Sequence, residues 1–201
     1  MEIVLSLAIF FSAVIIHEYA HALVAFRLGD PTAKNLGRLT LNPIAHIDPV
    51  GTILLPLMLI AMRSSVLFGW AKPVPINFSS LHNPKKDMIW VGLAGPAANL
   101  LFAIAASLLI KTSLLTGNTA VSVMHSIILI NVVLAVFNLI PIPPLDGSRV
   151  LMGLLPVPLA IKFVKLEPYG FIILFALIYI GLFDRIVWPI AAAMIGFILS
   201  L

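Results

Sequence analysis

The sequence predicts an all-α integral membrane helical bundle, with about five transmembrane helices plus a re-entrant segment and short extended or β elements. Three observations carry that expectation. Of 201 residues, 61% are hydrophobic and 10% charged, against roughly 25% charged in ordinary soluble domains. Mean hydropathy is +1.14. Apolar runs at residues 1–26, 88–110, 119–140, 168–183 and 186–201 approach or reach the roughly 17 to 25 residues that cross a bilayer.

The first run, residues 1–26, lacks a positively charged start, so it is expected to stay as a helix and not to be cleaved as a signal peptide. After it, LGRLTLNP alternates like a short strand. Residues 49–62 are apolar but short and carry Pro56, so they either span or dip in and return. Basic residues collect in cytoplasmic loops. A re-entrant segment with the N-terminus outside puts ten Lys and Arg inside and leaves only Lys111 and Arg185 outside, whereas a spanning segment divides them seven against five. The re-entrant topology is therefore expected. It also places Trp70, Trp90 and Tyr169 at the inner interface and Trp188 at the outer, where amphipathic rings prefer to sit. AKPVPIN, residues 71–77, reads as extended, with prolines suited to an edge.

Runs 88–110 and 119–140 are long enough to span. The second must stop near Ile140, because Pro141, Pro143 and Pro144 remove backbone donors and forbid helical continuation. Asp146 then falls on a non-helical turn at membrane level, with Gly147 allowing the chain to bend. Irregular backbone is not tolerated against lipid, so this turn must be packed in protein or line a wet cavity. The last two runs suggest a C-terminal helical hairpin, residues 168–201. One membrane-embedded domain, residues 1–201, accounts for the chain, with a catalytic core over 1–151.

The chain has no cysteine, so a metal here would rely on His, Asp and Glu. Net charge is +4, but the basic residues are scattered, which excludes a nucleic-acid surface and fits contact with anionic lipid headgroups.

Within the first apolar run stands HEYAH. Ionisable side chains at membrane depth are costly and usually mark function. His17 and His21, four apart, face the same side of a helix and can chelate one ion. Glu18 lies beside that face, placed to act as a base without being a ligand. Zinc brings the pKa of bound water to near 7, and a neighbouring carboxylate can take the proton and pass it to a leaving amine. Asp146 is expected as the third ligand, because in the re-entrant topology it and His21 reach the same inner face; the alternative is a structural turn in which Asp146 caps Ser148 or Arg149. His125 is too far along its helix to share the ion, while His46 and His82 read as solvated loop residues, with His46 the competing ligand. The same ligands would also serve a membrane metal-ion carrier or sensor that performs no hydrolysis. Glu18 argues for hydrolysis, since a carrier needs no base.

HEYAH, GPAAN at residues 95–99 and NLIPIPPLDG at residues 138–147 together resemble the site-2 protease family of intramembrane zinc metalloproteases. LNPIAHIDPVGTILLP and FGWAKPVPIN resemble its compact prokaryotic branch, and the similarity covers residues 10–151. The resemblance implies a zinc metalloendopeptidase of a prokaryotic cell membrane that cuts transmembrane segments of membrane-protein substrates. It implies one zinc per chain on His17, His21 and Asp146, Glu18 as the base, and an active site nearer the cytoplasmic face. It also implies that Asn99 and Asn138 lie beside the site, where they contact substrate or oxyanion or else bond helices together. No inserted peptide-binding domain or nucleotide-sensing domain, present in other members, fits in this sequence. An unwound substrate would add as a strand along LGRLTLNP or AKPVPIN.

Overall fold

A computed structural model describes residues 2–54, 57–58, 61–62, 72–112 and 117–201. Pro56, Arg63, Trp70 and Ala71, on which parts of the re-entrant and interface expectations rest, lie outside the described residues.

Helix α1, Glu2–Arg27, puts Ala13, His17, His21 and Ala25 at four-residue intervals, and all four are buried. One face of this helix is therefore turned into the protein. A short α2, Thr32–Asn35, follows. Turns at Pro43–His46 and Pro49–Leu54 come next, and a 3-10 turn at Phe78–Ser80 leads into α3, Pro84–Lys111. Then come α4, Asn118–Asn138, α5, Asp146–Leu154, and α6, Val157–Val164. The chain closes with α7, Gly170–Tyr179, and a turn at Phe183–Val187 running into α8, Trp188–Ser200.

Helix α3 is the centre of the bundle, packed by α1, α4 and α5, while α8 lies against α4 and α3. Ala13, Ala22, Ala25, Ala103, Ala106, Ala135 and Ala191 are buried, whereas Leu101, Phe102, Phe171 and Phe175 are exposed. The alanines stand among larger buried residues such as Ile128, Val132 and Ile198. Small residues at helix contacts with large apolar ones exposed suit membrane helices, which associate by close backbone approach and not by hiding oil from water. The protein is an integral membrane protein.

Among the described residues four helices are long and apolar enough to cross a bilayer: Val4–Arg27, Pro84–Lys111, Asn118–Asn138 and Phe183–Ser200. The apolar run at 168–183 differs from expectation. Pro168 sits in a 3-10 turn, and Gly181, with φ of 93°, follows the helix end, so α7 keeps ten residues. That rises about 15 Å, half of a hydrocarbon core of about 30 Å.

No strand forms among the described residues. LGRLTLNP falls into a turn and bends after α2, with Gly37 at φ of 66° and Arg38 drawn aside to the carbonyl oxygens of Lys72 (2.6 Å) and Pro73 (3.4 Å). Alternation without a paired neighbour does not make a ladder. The Lys72 N–H donates to the carbonyl of His46 at 3.0 Å. The chain that leaves at His46 is thus back beside it at Lys72.

The break after α4 falls where the prolines require it. Asp146, however, is not on an irregular turn: it is the first residue of α5, with Leu145 as N-cap. The turn closes through Ile142 N–H to Ile140 O, at 2.8 Å, and Leu145 N–H to Ile142 O, at 2.9 Å. At Gly147 a Cβ would run into the Leu139 carbonyl, so the path under the end of α4 requires glycine.

Candidate metal centre

Helix α1 presents His17 and His21 one turn apart, α5 presents Asp146 from its first position, and α3 passes behind them. The three side chains are buried, and their ligand atoms converge. His17 Nε2 lies 2.9 Å and His21 Nε2 3.0 Å from Asp146 Oδ2, and the two Nε2 atoms are 3.0 Å apart. Among the described residues these are the His, Asp and Glu side chains grouped closely enough to hold one ion.

The far sides of the rings decide what this convergence means. His17 Nδ1 is 2.6 Å from Asn99 Oδ1. The Asn99 amide nitrogen donates to Ala13 O at 3.0 Å and to Asn131 Oδ1 at 2.8 Å, so the amide oxygen must be the atom that faces the imidazole. His21 Nδ1 is 2.7 Å from the Val91 carbonyl, which can only accept. Both Nδ1 atoms therefore carry the proton, and in the neutral rings both Nε2 lone pairs point at each other and at a carboxylate. Three acceptors turned together without a donor repel one another, and a cation relieves this. Two imidazoles and a carboxylate form a donor set for zinc with a fourth position left open, as in catalytic sites. The residues fit the ion. When the rings are instead protonated they donate to Asp146, and in that state, although burial pushes its carboxyl pKa up, the two histidines outweigh burial and hold the group, on the short α5 outside the four spans, well below the usual carboxylate range.

Gly95 explains how α3 comes so close. A Cβ there would fall 2.5 Å from His17 Nε2 and closer still to His21 Nε2, in the space the ligand atoms occupy. The GPAAN stretch thus contributes room at Gly95 and a hydrogen bond one turn later at Asn99.

Glu18 is half-buried beside the histidines, and its Oε2 accepts from the Val74 N–H at 2.7 Å. A cavity of about 110 Å³ opens on this group, lined by Glu18, Pro73, Val74, Ile76, Asn138 and Arg149 together with the candidate ligands. The wall at 72–77 forms no strand, but side chains and a carbonyl hold it: Lys72 on His46 and Arg38, Val74 on Glu18, and Asn77 N–H on Asp30 Oδ2 at 2.7 Å.

The other sequence expectations are divided. Asn138 lines the cavity while its amide donates to Leu134 O at 3.0 Å. Asn99 does not line it; fully buried behind His17, it bonds α1, α3 and α4 together. His46 is buried and not solvated, with Nε2 on Thr40 O at 2.8 Å, and it stands apart from the ligand group. His82 and His125 are exposed. Sequence reasoning missed Asn131 and Arg149. Asn131 could have been found as an isolated polar residue in the apolar IILINVVLAVF, whereas Arg149 gives no signal beyond following Asp146 by one helical turn.

The fold and this site define a class: a polytopic membrane protein with a buried His–His–Asp group that could hold a metal ion and the Glu18 carboxylate beside it. The model of peptidase family M50 matches residues 109–180. The chain is 41% identical over 185 residues to "Putative zinc metalloprotease YwhC" of Bacillus subtilis, covering 88% of this chain and 81% of that one. It is 32% identical over 174 residues to "Putative zinc metalloprotease Rip2" of Mycolicibacterium smegmatis, covering 85% and 64%. It is 27% identical over 146 residues to "Zinc metalloprotease MJ0392" of Methanocaldococcus jannaschii, covering 72% and 32%. No solved structure matches the chain significantly. The chain belongs to peptidase family M50, which bears out the resemblance to the site-2 proteases.

Proposed function

We propose that this protein is an intramembrane zinc endopeptidase that hydrolyses peptide bonds within or near transmembrane segments, with His17, His21 and Asp146 as ligands and Glu18 as general base. The observation that carries this reading is the convergence of two imidazole lone pairs and a carboxylate within 3.0 Å, each imidazole held in one tautomer from behind. Bound there, zinc supplies Lewis acidity and brings the pKa of water it holds to near 7.

The chain's own residues do the rest. Glu18 has one oxygen committed to the Val74 N–H, which orients the carboxylate and leaves the other oxygen to take a proton and return it to the leaving amine. Asn138 and Arg149, on the cavity wall, are placed to meet the substrate backbone. A transmembrane helix shields its peptide bonds by internal hydrogen bonding, so a substrate must unwind locally before it reaches the cavity. Residues 72–77 then offer a wall along which extended chain can lie. The adjacency of His46 and Lys72 supports the reading that both ends of this stretch lie on one side of the membrane, and with the basic loops on the cytoplasmic side the site would lie nearer that face. In this reading residues 1–201 act as one domain, its catalytic core within 1–151 and its substrates membrane proteins of the same bilayer.

The test is to replace Glu18 by Gln in the native host and in purified protein. Membrane proteins that accumulate in the variant, and are cut by purified wild type but not by the variant, identify the substrates. If no membrane protein changes in abundance or length, and wild type cuts none, the protease reading fails.

A further inference from the structure

We infer that Asn131, in the middle of α4, is a positioning residue for the metal centre, acting through Asn99 on His17. The inference rests on the metal centre proposed above and adds a residue that touches no ligand atom.

Asn131 is completely buried among apolar neighbours, including Ile128, Val132 and Ala135 of its own helix. An amide in such surroundings is costly unless every polar atom is matched. Its Nδ2 donates to the carbonyl of Ile127, four residues back, at 2.9 Å. That bond fixes which end of the amide faces outward from α4, and the outward end is Oδ1. This oxygen accepts from Asn99 Nδ2 at 2.8 Å. Asn99 gives its other N–H to Ala13 O, at 3.0 Å, so its own oxygen can face only His17 Nδ1, at 2.6 Å.

The chain of bonds runs from Ile127 O through Asn131 and Asn99 to His17, with each amide held one way round by the bond behind it. At its end, His17 keeps its proton on Nδ1 and its lone pair on Nε2, the atom facing His21 and Asp146. Without the Asn131 oxygen, the Asn99 amide loses one of the two acceptors that orient it. Turned over, it would present N–H groups to His17 Nδ1, favouring the tautomer with the proton on Nε2, which cannot bind an ion. Outer partners of metal-bound histidines commonly contribute 10- to 100-fold to metal affinity.

The experiment measures zinc dissociation constants of purified full-length variants by competition with a chelator. Asn131→Leu should weaken zinc binding by roughly 10-fold or more. Asn131→Asp, protonated in its apolar surroundings, can still donate to Ile127 O and accept from Asn99, so it should bind zinc within a few-fold of wild type. Val132→Ala, which loosens packing on the next residue but leaves the amides in place, should not change the affinity. If Asn131→Leu does not insert, Asn131→Ala reads the same loss with less bulk. Zinc affinity unchanged in Asn131→Leu or Asn131→Ala overturns the inference, and so does an equal loss in Val132→Ala, which would make the effect one of packing. A wild type that holds zinc no better than His17→Ala removes the metal centre itself, and the inference with it.

Discussion

At the scale of single residues, the proposed mechanism divides holding an ion from moving a proton. Glu18 contributes no atom to the converging group, and one of its oxygens is bonded to the Val74 amide. Glu18→Gln should therefore keep about one zinc per chain while cleavage falls by at least 10²- to 10⁴-fold, the usual contribution of a general base. Metal analysis beside a cleavage assay reads both, and loss of zinc together with activity would move Glu18 into the ligand shell. Asp146→Asn keeps the shape but weakens the ligand, so zinc occupancy and cleavage should fall together. His46→Ala should leave occupancy unchanged, because that ring is engaged with Thr40 O, away from the group. Greater zinc loss from His46→Ala than from Asp146→Asn would reverse the assignment.

At the scale of elements, two glycines set how closely helices approach. Gly95 lets α3 pass behind the histidines, and a methyl group there enters the space of both Nε2 atoms. Gly95→Ala should insert normally, since the atoms it meets are the ends of side chains, yet it should lose most of its zinc in metal analysis. Gly147 meets backbone, the Leu139 and Ile140 carbonyls, which cannot swing away. Gly147→Ala should cost stability by at least the roughly 1–3 kcal/mol of an overpacked site. A lower yield of monodisperse protein and a lower unfolding temperature would show it; a variant as stable as wild type would mean the turn is looser than its contacts indicate.

For the whole molecule, the centre ties α1, α3 and α5 together across sequence separations of 82 and 129 residues. An ion that binds only the assembled site stabilises it by mass action, about 2.7 kcal/mol at a free concentration 100 times the dissociation constant. Chelation should lower the unfolding temperature of wild type and leave His17→Ala unmoved. Topology is tested in the cysteine-free chain by single cysteines at Asn42 and Ser80 with an impermeant thiol reagent in intact cells. Both positions should react alike, because His46 and Lys72 lie side by side; labelling of only one would reject the re-entrant path.

The membrane class, the histidine pair on one helical face and the helix break ahead of Asp146 were legible in the sequence. Each is local: composition, a spacing of four, and prolines that cannot continue a helix. The pairing of α1 with α3, the room made by Gly95, the bond from Val74 to Glu18 and the buried bridge through Asn99 and Asn131 were not. These join residues far apart in the chain, and an apolar helix shows by itself no preference among its faces, since lipid and protein interior are equally oily. For the run at 168–183 apolar length is the local signal that suggests a span, and the turns around Pro168 and Gly181 cut its helix to ten residues. Thus the sequence determined which residues can bind an ion. Only packing decided which carbonyls and amides stand behind them, because a hydrogen-bond partner is chosen by position in space and not by distance along the chain.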